Sequence, residues 1–264
     1  MENFNYHRPA KAADAVKLIK KAKDGRFLSG GMTLLPTLKL GLNAPTDLID
    51  LGGLKNTGVK VSAKSAVIKG GTCHADVAGD KALAKAIPGL AKLAGGIGDP
   101  HVRNRGTIGG SIANNDPNAD YPAACLGLGA IIHTDKRKIT ADKFFTGMFS
   151  TALKDDEPVM AVEFPVPKKS GYAKFPNPAS LFALVGVYVA QMKDGSVRVA
   201  VTGAGPGVFR VPEMEAALAK SFKASSLDGV AVKAKSLNTD MHASADYRAH
   251  LITVMAKRAV EAAK

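Results

Sequence analysis

The sequence predicts an α+β protein in two parts, a larger mixed part over residues 1–167 and a smaller one over 168–264 with a three-stranded antiparallel sheet and helices. Three observations lead there. Short apolar runs of strand type alternate with stretches of helical spacing up to Phe164. Pro165-Val166-Pro167-Lys168-Lys169-Ser170-Gly171 is the strongest break in the chain. Beyond it, Phe182–Met192 and Val197–Thr202 read as strands joined through Asp194-Gly195, a hairpin signal.

In chain order, residues 10–23 form an amphipathic helix with Val16 and Ile19 on its dry face and the basic cluster Lys17–Arg26 on its wet one. Arg26-Phe27-Leu28 is a short strand that runs into Ser29-Gly30-Gly31-Met32-Thr33, and Leu34–Leu40 returns to helical spacing, with Pro36 tolerable only in its first turn. Asp47–Leu51 is the next strand, and Val59–Val61 with Ala66–Lys69 forms a β-pair. His74–Ala94 is mostly helical and broken near Pro88; a glycine-rich stretch covers 95–111, and a helix follows at 121–128. Ala130–Thr134 and Val159–Phe164 are strands on either side of the mixed stretch 141–157. In the second part Val208–Val211 is a third strand, with helices at 212–220, 227–235 and Ser244–Ala263.

The stretch that organises the chain is Arg103–Pro122, which gathers glycines, hydroxyls, amides and carboxylates ahead of the apolar run Ala123–Ala130. Paired glycines let a ligand approach bare backbone, and successive N–H groups can form an anion-binding nest. Asp120, two residues before Pro122, suits a helix opening. The stretch thus reads as a phosphate-binding loop leading into a buried helix. Gly-Gly pairs also occur at 30, 52, 70 and 95, so a tight turn feeding a core helix carries equal weight on spacing alone. Ser29–Thr33 repeats the strand, glycine loop, helix arrangement that sets N–H groups against an anion. It is neither a P-loop nor Gly-x-Gly-x-x-Gly. Two such loops suggest two walls around one diphosphate.

Composition narrows the classes further. The 264 residues carry a formal charge of +13, spread along the chain and without the aromatic-laced basic stripe of a nucleic-acid reader. The charge favours an anionic cofactor or an acidic partner surface. Cys73 and Cys125 alone supply neither an iron–sulfur nor a zinc site. No apolar run approaches the roughly 20 residues that span a bilayer, and the N-terminus lacks a signal-peptide pattern, so a cytoplasmic protein is expected.

Several long motifs occur together: Tyr6-His7-Arg8-Pro9; Gly30–Pro36 through Asp47–Leu51; Arg103–Pro122; Lys174–Ser180 to Gly186-Val187; and Asp240–Arg248. In them the sequence resembles, over nearly its whole length, the FAD-binding medium subunit of the molybdenum hydroxylases, the carbon monoxide dehydrogenase and xanthine dehydrogenase family. The resemblance implies an FAD-binding domain of the p-cresol methylhydroxylase type, then a small α+β carbon monoxide dehydrogenase flavoprotein C-terminal domain. It implies that Leu28, Ser29, Gly30, Gly31, Met32, Thr33 and Leu34 hold the FAD diphosphate, mainly through backbone N–H. Thr107, Ile108, Gly109, Gly110 and Ser111 would close the other side, with Asn115 beyond them. Asp120 would take a polar part of the cofactor, and its acceptor-only carboxylate fits ribose or adenine donors. Ile97 would make an apolar contact, and Met160 and Lys174 would lie near the flavin ring, where a cation stabilises a reduced, anionic flavin. Met32 and Ser111 depart from the family pattern, where Gln or His and Asn are common; neither change removes a backbone donor.

The implied activity is electron transfer. FAD takes electrons from 2Fe–2S clusters of a small partner subunit, supplied by a molybdenum cofactor in a large one, in a complex expected to be a dimer of heterotrimers, and delivers them to an external acceptor. The chain itself would hold no catalytic residue and no metal. A self-sufficient FAD oxidase and a scaffold subunit that has lost FAD are the alternatives. His101, beside the implied flavin site, is as well explained by a backbone contact as by a catalytic part. His74 and His242 have no ligand partners at metal spacing, and structural parts suit them better. Arg103 and Arg105 reach a phosphate, a partner or solvent; Tyr172 either stacks on the flavin ring or, as suits it better, is a domain-junction aromatic; Tyr247 and Arg248 fix the last helix.

Overall fold

The structure is a computed structural model that describes residues 1–264. Its first layer is a three-stranded parallel sheet. Strands β1 (Asn5–His7) and β2 (Gly25–Leu28) both pair with β3 (Asp47–Asp50), in the order β1-β3-β2. The connections are helices α1 (Ala12–Lys21) and α2 (Leu34–Lys39), as parallel pairing requires. Helix α1 buries Ala15 and Ile19 against Ile49 and turns its lysines outward.

The second layer is a five-stranded antiparallel sheet, order β4-β5-β10-β6-β7. It comprises β4 (Val59–Val61), β5 (Ser65–Lys69), β6 (Ile131–Thr134), β7 (Lys138–Thr140) and β10 (Val159–Pro165). Between β5 and β6 the chain forms α3 (His74–Gly79), α4 (Lys81–Ala86), α5 (Pro88–Gly95), α6 (Pro100–Arg103), α7 (Ile108–Asn114) and α8 (Tyr121–Leu128). Helix α8 is buried at every position, which explains its uninterrupted apolar run. Between β7 and β10 lie α9 (Ala141–Phe144) and the hairpin β8 (Phe145–Gly147) and β9 (Ser150–Thr151).

The remaining chain forms a four-stranded antiparallel sheet in sequential order: β11 (Lys169–Pro176), β12 (Ala183–Gln191), β13 (Val197–Thr202) and β14 (Phe209–Arg210). Helices α10 (Pro212–Lys220) and α11 (Ala245–Glu261) complete it. The sheet therefore has four strands, not the three expected. Strand β11 begins inside the predicted break, because its Lys, Ser, Gly and Pro content reads as linker. It becomes a strand through tertiary packing: a Cβ at Gly171 would overlap the Ala259 carbonyl of α11, so only glycine lets the two backbones meet.

Two further expectations are corrected. Residues 227–235 are not a helix; short 3₁₀ turns at Ala224–Leu227 and Ala234–Ser236 flank Gly229, whose φ of +77° takes the chain out of helical space. The stretch 95–111 is not all loop. Asp99 caps α6 by accepting from Val102 N at 2.8 Å, and α7 already begins at Ile108.

Arg248 on α11 is buried and donates to the carbonyls of Leu184 (2.7 Å) and Gly203 (3.0 Å) and to Asp240 (2.7 Å). This fixes the last helix to the sheet, as its sequence position suggests. Ser244 caps that helix by accepting from Tyr247 N.

Candidate functional site

Strand β2 ends in a wall of bare backbone. The N–H groups of Ser29, Gly30, Gly31, Met32 and Thr33 donate to no protein acceptor, and the five residues are half-buried or exposed, so these donors are open to a ligand or to solvent. Gly31 has φ +78°, which a side chain would strain. Gly30 faces the neighbouring loop so closely that a Cβ there would overlap the Arg105 carbonyl and lie 2.8 Å from Gly106 Cα.

The second wall is built differently from the predicted loop. Thr107 caps α7: its Oγ1 accepts from Gly110 N at 3.1 Å and shares a 2.8 Å hydrogen bond with Ser29 Oγ, tying the two walls together. Ile108 N donates to Thr72 O (3.1 Å) and Gly109 N to Gly70 O (2.9 Å). Gly110 N and Ser111 N are likewise bonded, to Thr107 Oγ1 and Thr107 O, so the expected nest of free N–H groups is absent from Ile108 to Ser111, and only Thr107 N has no protein acceptor. Gly109 is glycine for a packing reason: a Cβ would lie 2.6 Å from Gly70 O. Gly110 opens towards the first wall, its nearest neighbours for a Cβ being Thr107 Oγ1 and Ser29 Cβ.

Between the walls lies a cavity of about 600 Å³, within the range of cofactor pockets. Ser29, Gly30, Gly31, Met32, Thr33 and Leu34 line one side of it. Thr107, Gly109, Gly110 and Ser111 line another, and Ile97, Asp120 and Met160 also reach it. Leu28, His101, Ile108, Asn115 and Lys174 do not line it. Ile108 is fully buried core and His101 is exposed. Asn115 is the left-handed C-cap of α7 (φ +45°) and donates to the carbonyls of Gly147 (2.8 Å) and Ser150 (2.7 Å), so it pins the β8–β9 hairpin. Lys174 stands behind the wall, its Nζ donating to Gly96 O (2.8 Å) and Leu181 O (3.0 Å) and paired with Asp120 Oδ1 at 3.0 Å.

Asp120 opens α8 without capping it; no N–H of the helix reaches its side chain. Its carboxylate instead accepts from the Tyr172 hydroxyl and Lys174. Burial raises its proton affinity, and Lys174 and Tyr172 oppose that shift.

Residues 2–167 match the family model described as the FAD binding domain in molybdopterin dehydrogenase, and residues 171–263 that of the CO dehydrogenase flavoprotein C-terminal domain. The chain belongs to the FAD-binding medium subunits of the molybdenum hydroxylase family.

Among its relatives, the nicotine 6-hydroxylase medium subunit of Paenarthrobacter nicotinovorans is 31% identical over 97% of this chain and 96% of its own. The carbon monoxide dehydrogenase medium chain of Afipia carboxidovorans is 32% identical over 99% and 97%. A solved structure of Cu,Mo-CO dehydrogenase superposes with a TM-score of 0.89 at 30% identity, covering 99% of this chain and 97% of that one. The architecture of an FAD-binding part followed by a flavoprotein C-terminal part is thus that of a medium subunit, and this chain is a subunit of an oxidoreductase. No helix is long and apolar enough to cross a membrane.

The medium-subunit cavity has further walls that sequence reasoning did not find. His74 lines it with its ring 5.3 Å from that of Tyr121; burial, with Arg103 nearby, lowers its pKa to about 4, so it is neutral at pH 7. No group of three or more metal-ligating side chains surrounds it or any other residue. Arg103 clamps the cavity edge by donating to the carbonyls of Ile97 and Gly98. Leu181 and Phe182 reach the cavity from the loop after β11, and Leu181 has φ +61°. Asn56 lines it and donates to Met160 O at 2.7 Å, at the bulge between Val159 and Ala161.

Glu157, a buried carboxylate on the wall, accepts from Arg137 Nε and Nη2, Thr134 Oγ1 and Lys154 N. The Arg137 hydrogen bonds chiefly depress its pKa from 4.5 to about 2. A depressed carboxyl stabilises the fold fully above its unfolded pKa and loses that contribution as pH falls through the folded one. Wild-type chain is expected to lose melting temperature between pH 4.5 and 2, and Glu157→Gln to show a flatter profile there with a lower melting temperature at pH 7. Parallel slopes for the two proteins would rule this out.

Proposed function

We propose that this chain holds FAD in the 600 Å³ cavity and carries electrons from a small 2Fe–2S subunit, fed by a large molybdenum-cofactor subunit, to an external acceptor. The observation that supports this best is the run of unpartnered N–H groups from Ser29 to Thr33. Such a row, open on the cavity wall, suits the oxygens of a diphosphate. The cradle fits the cofactor at Gly30, whose bare Cα keeps the two walls in contact; a side chain there would force them apart.

In this reading Leu28 and Leu34 frame the diphosphate loop. Thr107, Gly110 and Ser111 face it from α7, while Ile108 and Gly109 anchor that helix from below. Ile97 and Met160 supply apolar contact, and Asp120, backed by Lys174, accepts from a polar donor of the cofactor. Asn115 acts by capping α7 and pinning the β8–β9 hairpin, and His101 by shaping the loop it belongs to. FAD, when bound, supplies the change between single-electron and two-electron transfer. The protein binds it, orients it and excludes water around it. Residues 1–167 form the cofactor-holding part and 168–264 the part that closes it. The complex is a dimer of heterotrimers in the cytoplasm.

The test is an absorption spectrum of the chain after incubation with FAD and gel filtration, repeated on the complex purified from its host. A flavin band that travels with either protein supports the proposal. Folded protein that is colourless in both preparations overturns it.

A further inference from the structure

The segment Pro117–Asp120, at the end of the second predicted FAD loop, is gripped by the C-terminal part. Thr202 Oγ1 donates to the carbonyls of Pro117 (3.0 Å) and Ala119 (2.7 Å), and Gly203 N donates to Pro117 O at 2.8 Å. Tyr172 and Lys174, two residues apart on one face of β11, then close on the Asp120 carboxylate. The tyrosine reaches it by lying across Gly186, the cross-strand partner of Lys174; a Cβ at Gly186 would overlap the Tyr172 hydroxyl. Asp120 and Tyr172 are each only 4% exposed, and the hydroxyl has no other acceptor.

We infer that Tyr172 is a positioning residue for the cofactor cavity: its hydroxyl and the Lys174 ammonium keep Asp120 an oriented carboxylate, so that the C-terminal part sets how tightly the cavity holds FAD. The inference rests on the reading of the cavity as the FAD site. Tyr172 does not line the cavity, so it acts through Asp120 and not by contact. Burial holds the phenol protonated and therefore a donor. The same burial pushes Asp120 towards its neutral form, which has one acceptor oxygen fewer to offer. The groups facing Asp120 are Tyr172 and Lys174 from β11 and its own neighbour Tyr121 from α8. The strands behind contribute Gly186 and Thr202, neither of which titrates.

The test uses the full chain, or its complex if only that binds FAD, and measures FAD dissociation constants from pH 5 to 8. Tyr172→Phe is expected to weaken binding about tenfold at pH 7, the scale of one hydrogen bond to a charged group. It should also make binding fall more steeply as pH decreases, because the carboxylate then protonates at higher pH. Tyr188→Phe is the matched control, a buried tyrosine of the next strand whose hydroxyl makes no hydrogen bond to Asp120; its affinity and pH profile should equal wild type. In an Asp120→Asn background, Tyr172→Phe should add no pH dependence. If Tyr172→Phe fails to fold, Lys174→Met carries the same expectation of a steeper pH profile. Folded Tyr172→Phe with wild-type affinity and profile overturns the inference alone, whereas wild-type protein that binds no FAD overturns the reading it rests on.

Discussion

Gly30→Ala is expected to lose FAD retention while Gly79→Ala keeps it. The added Cβ at Gly30 would overlap the Arg105 carbonyl oxygen and lie 2.7 Å from its carbon and 2.8 Å from Gly106 Cα. All three are backbone atoms, so no side-chain rotation relieves the overlap, and the two cavity walls must separate. Their separation strains the Ser29–Thr107 hydroxyl pair and moves the free N–H row away from the second wall. Overpacking of this kind costs about 1–3 kcal/mol, and its upper end corresponds to about a hundredfold loss of affinity. Gly79 ends α3, and a Cβ there meets nothing within 4 Å. Gly79→Ala should bind FAD as wild type and gain up to about 1 kcal/mol of stability from helix propensity. FAD titrations and urea unfolding of both variants check this. Equal affinity in Gly30→Ala and wild type would mean that contact between the walls is irrelevant to the cofactor.

Arg248→Met is expected to be the most destabilising single change in the C-terminal part. The guanidinium is 2% exposed and satisfies the Leu184 and Gly203 carbonyls. Methionine fills much of the volume but leaves both carbonyls without that donor, and unsatisfied buried acceptors cost about 1–3 kcal/mol each. The Asp240 end of the pair is 44% exposed and adds little. We expect a loss of about 3 kcal/mol in urea unfolding at pH 7. Arg248→Lys should recover only a part of it, because one ammonium cannot reproduce the planar fork. The effect should reach the cavity as well: Gly203, whose carbonyl Arg248 holds, is the residue whose N–H holds Pro117 ahead of Asp120. FAD affinity should therefore fall in Arg248→Met even where the protein is fully folded. A variant within 0.5 kcal/mol of wild type, the usual range of surface substitutions, would show that the two carbonyls find other donors.

Local chemistry made much of this molecule legible. Helical spacing in Ala12–Lys21, the apolar run of α8, the last helix expected over Ser244–Ala263 and the Asp194-Gly195 turn each depend on residues within a few positions, and the structure has them. The free loop Ser29–Thr33 was legible for the same reason: strand, glycines and helix are contiguous. The motif order sufficed to reach the family. What the sequence could not settle were partnerships between distant segments. Gly109 looks like Gly30 in a motif, yet its N–H is occupied by Gly70 while the Gly30 N–H stays free. Asn115 sits among cofactor residues in sequence but spends both its donors on a hairpin more than thirty positions later. Asp120 has the spacing of a helix cap and serves instead as the acceptor for Tyr172 and Lys174. Strand β11 reads as a linker and becomes a strand only between α5, β12 and α11. Propensity and capping are decided within one turn of chain, whereas the acceptor a buried donor finds is decided by whichever segment the fold brings alongside it.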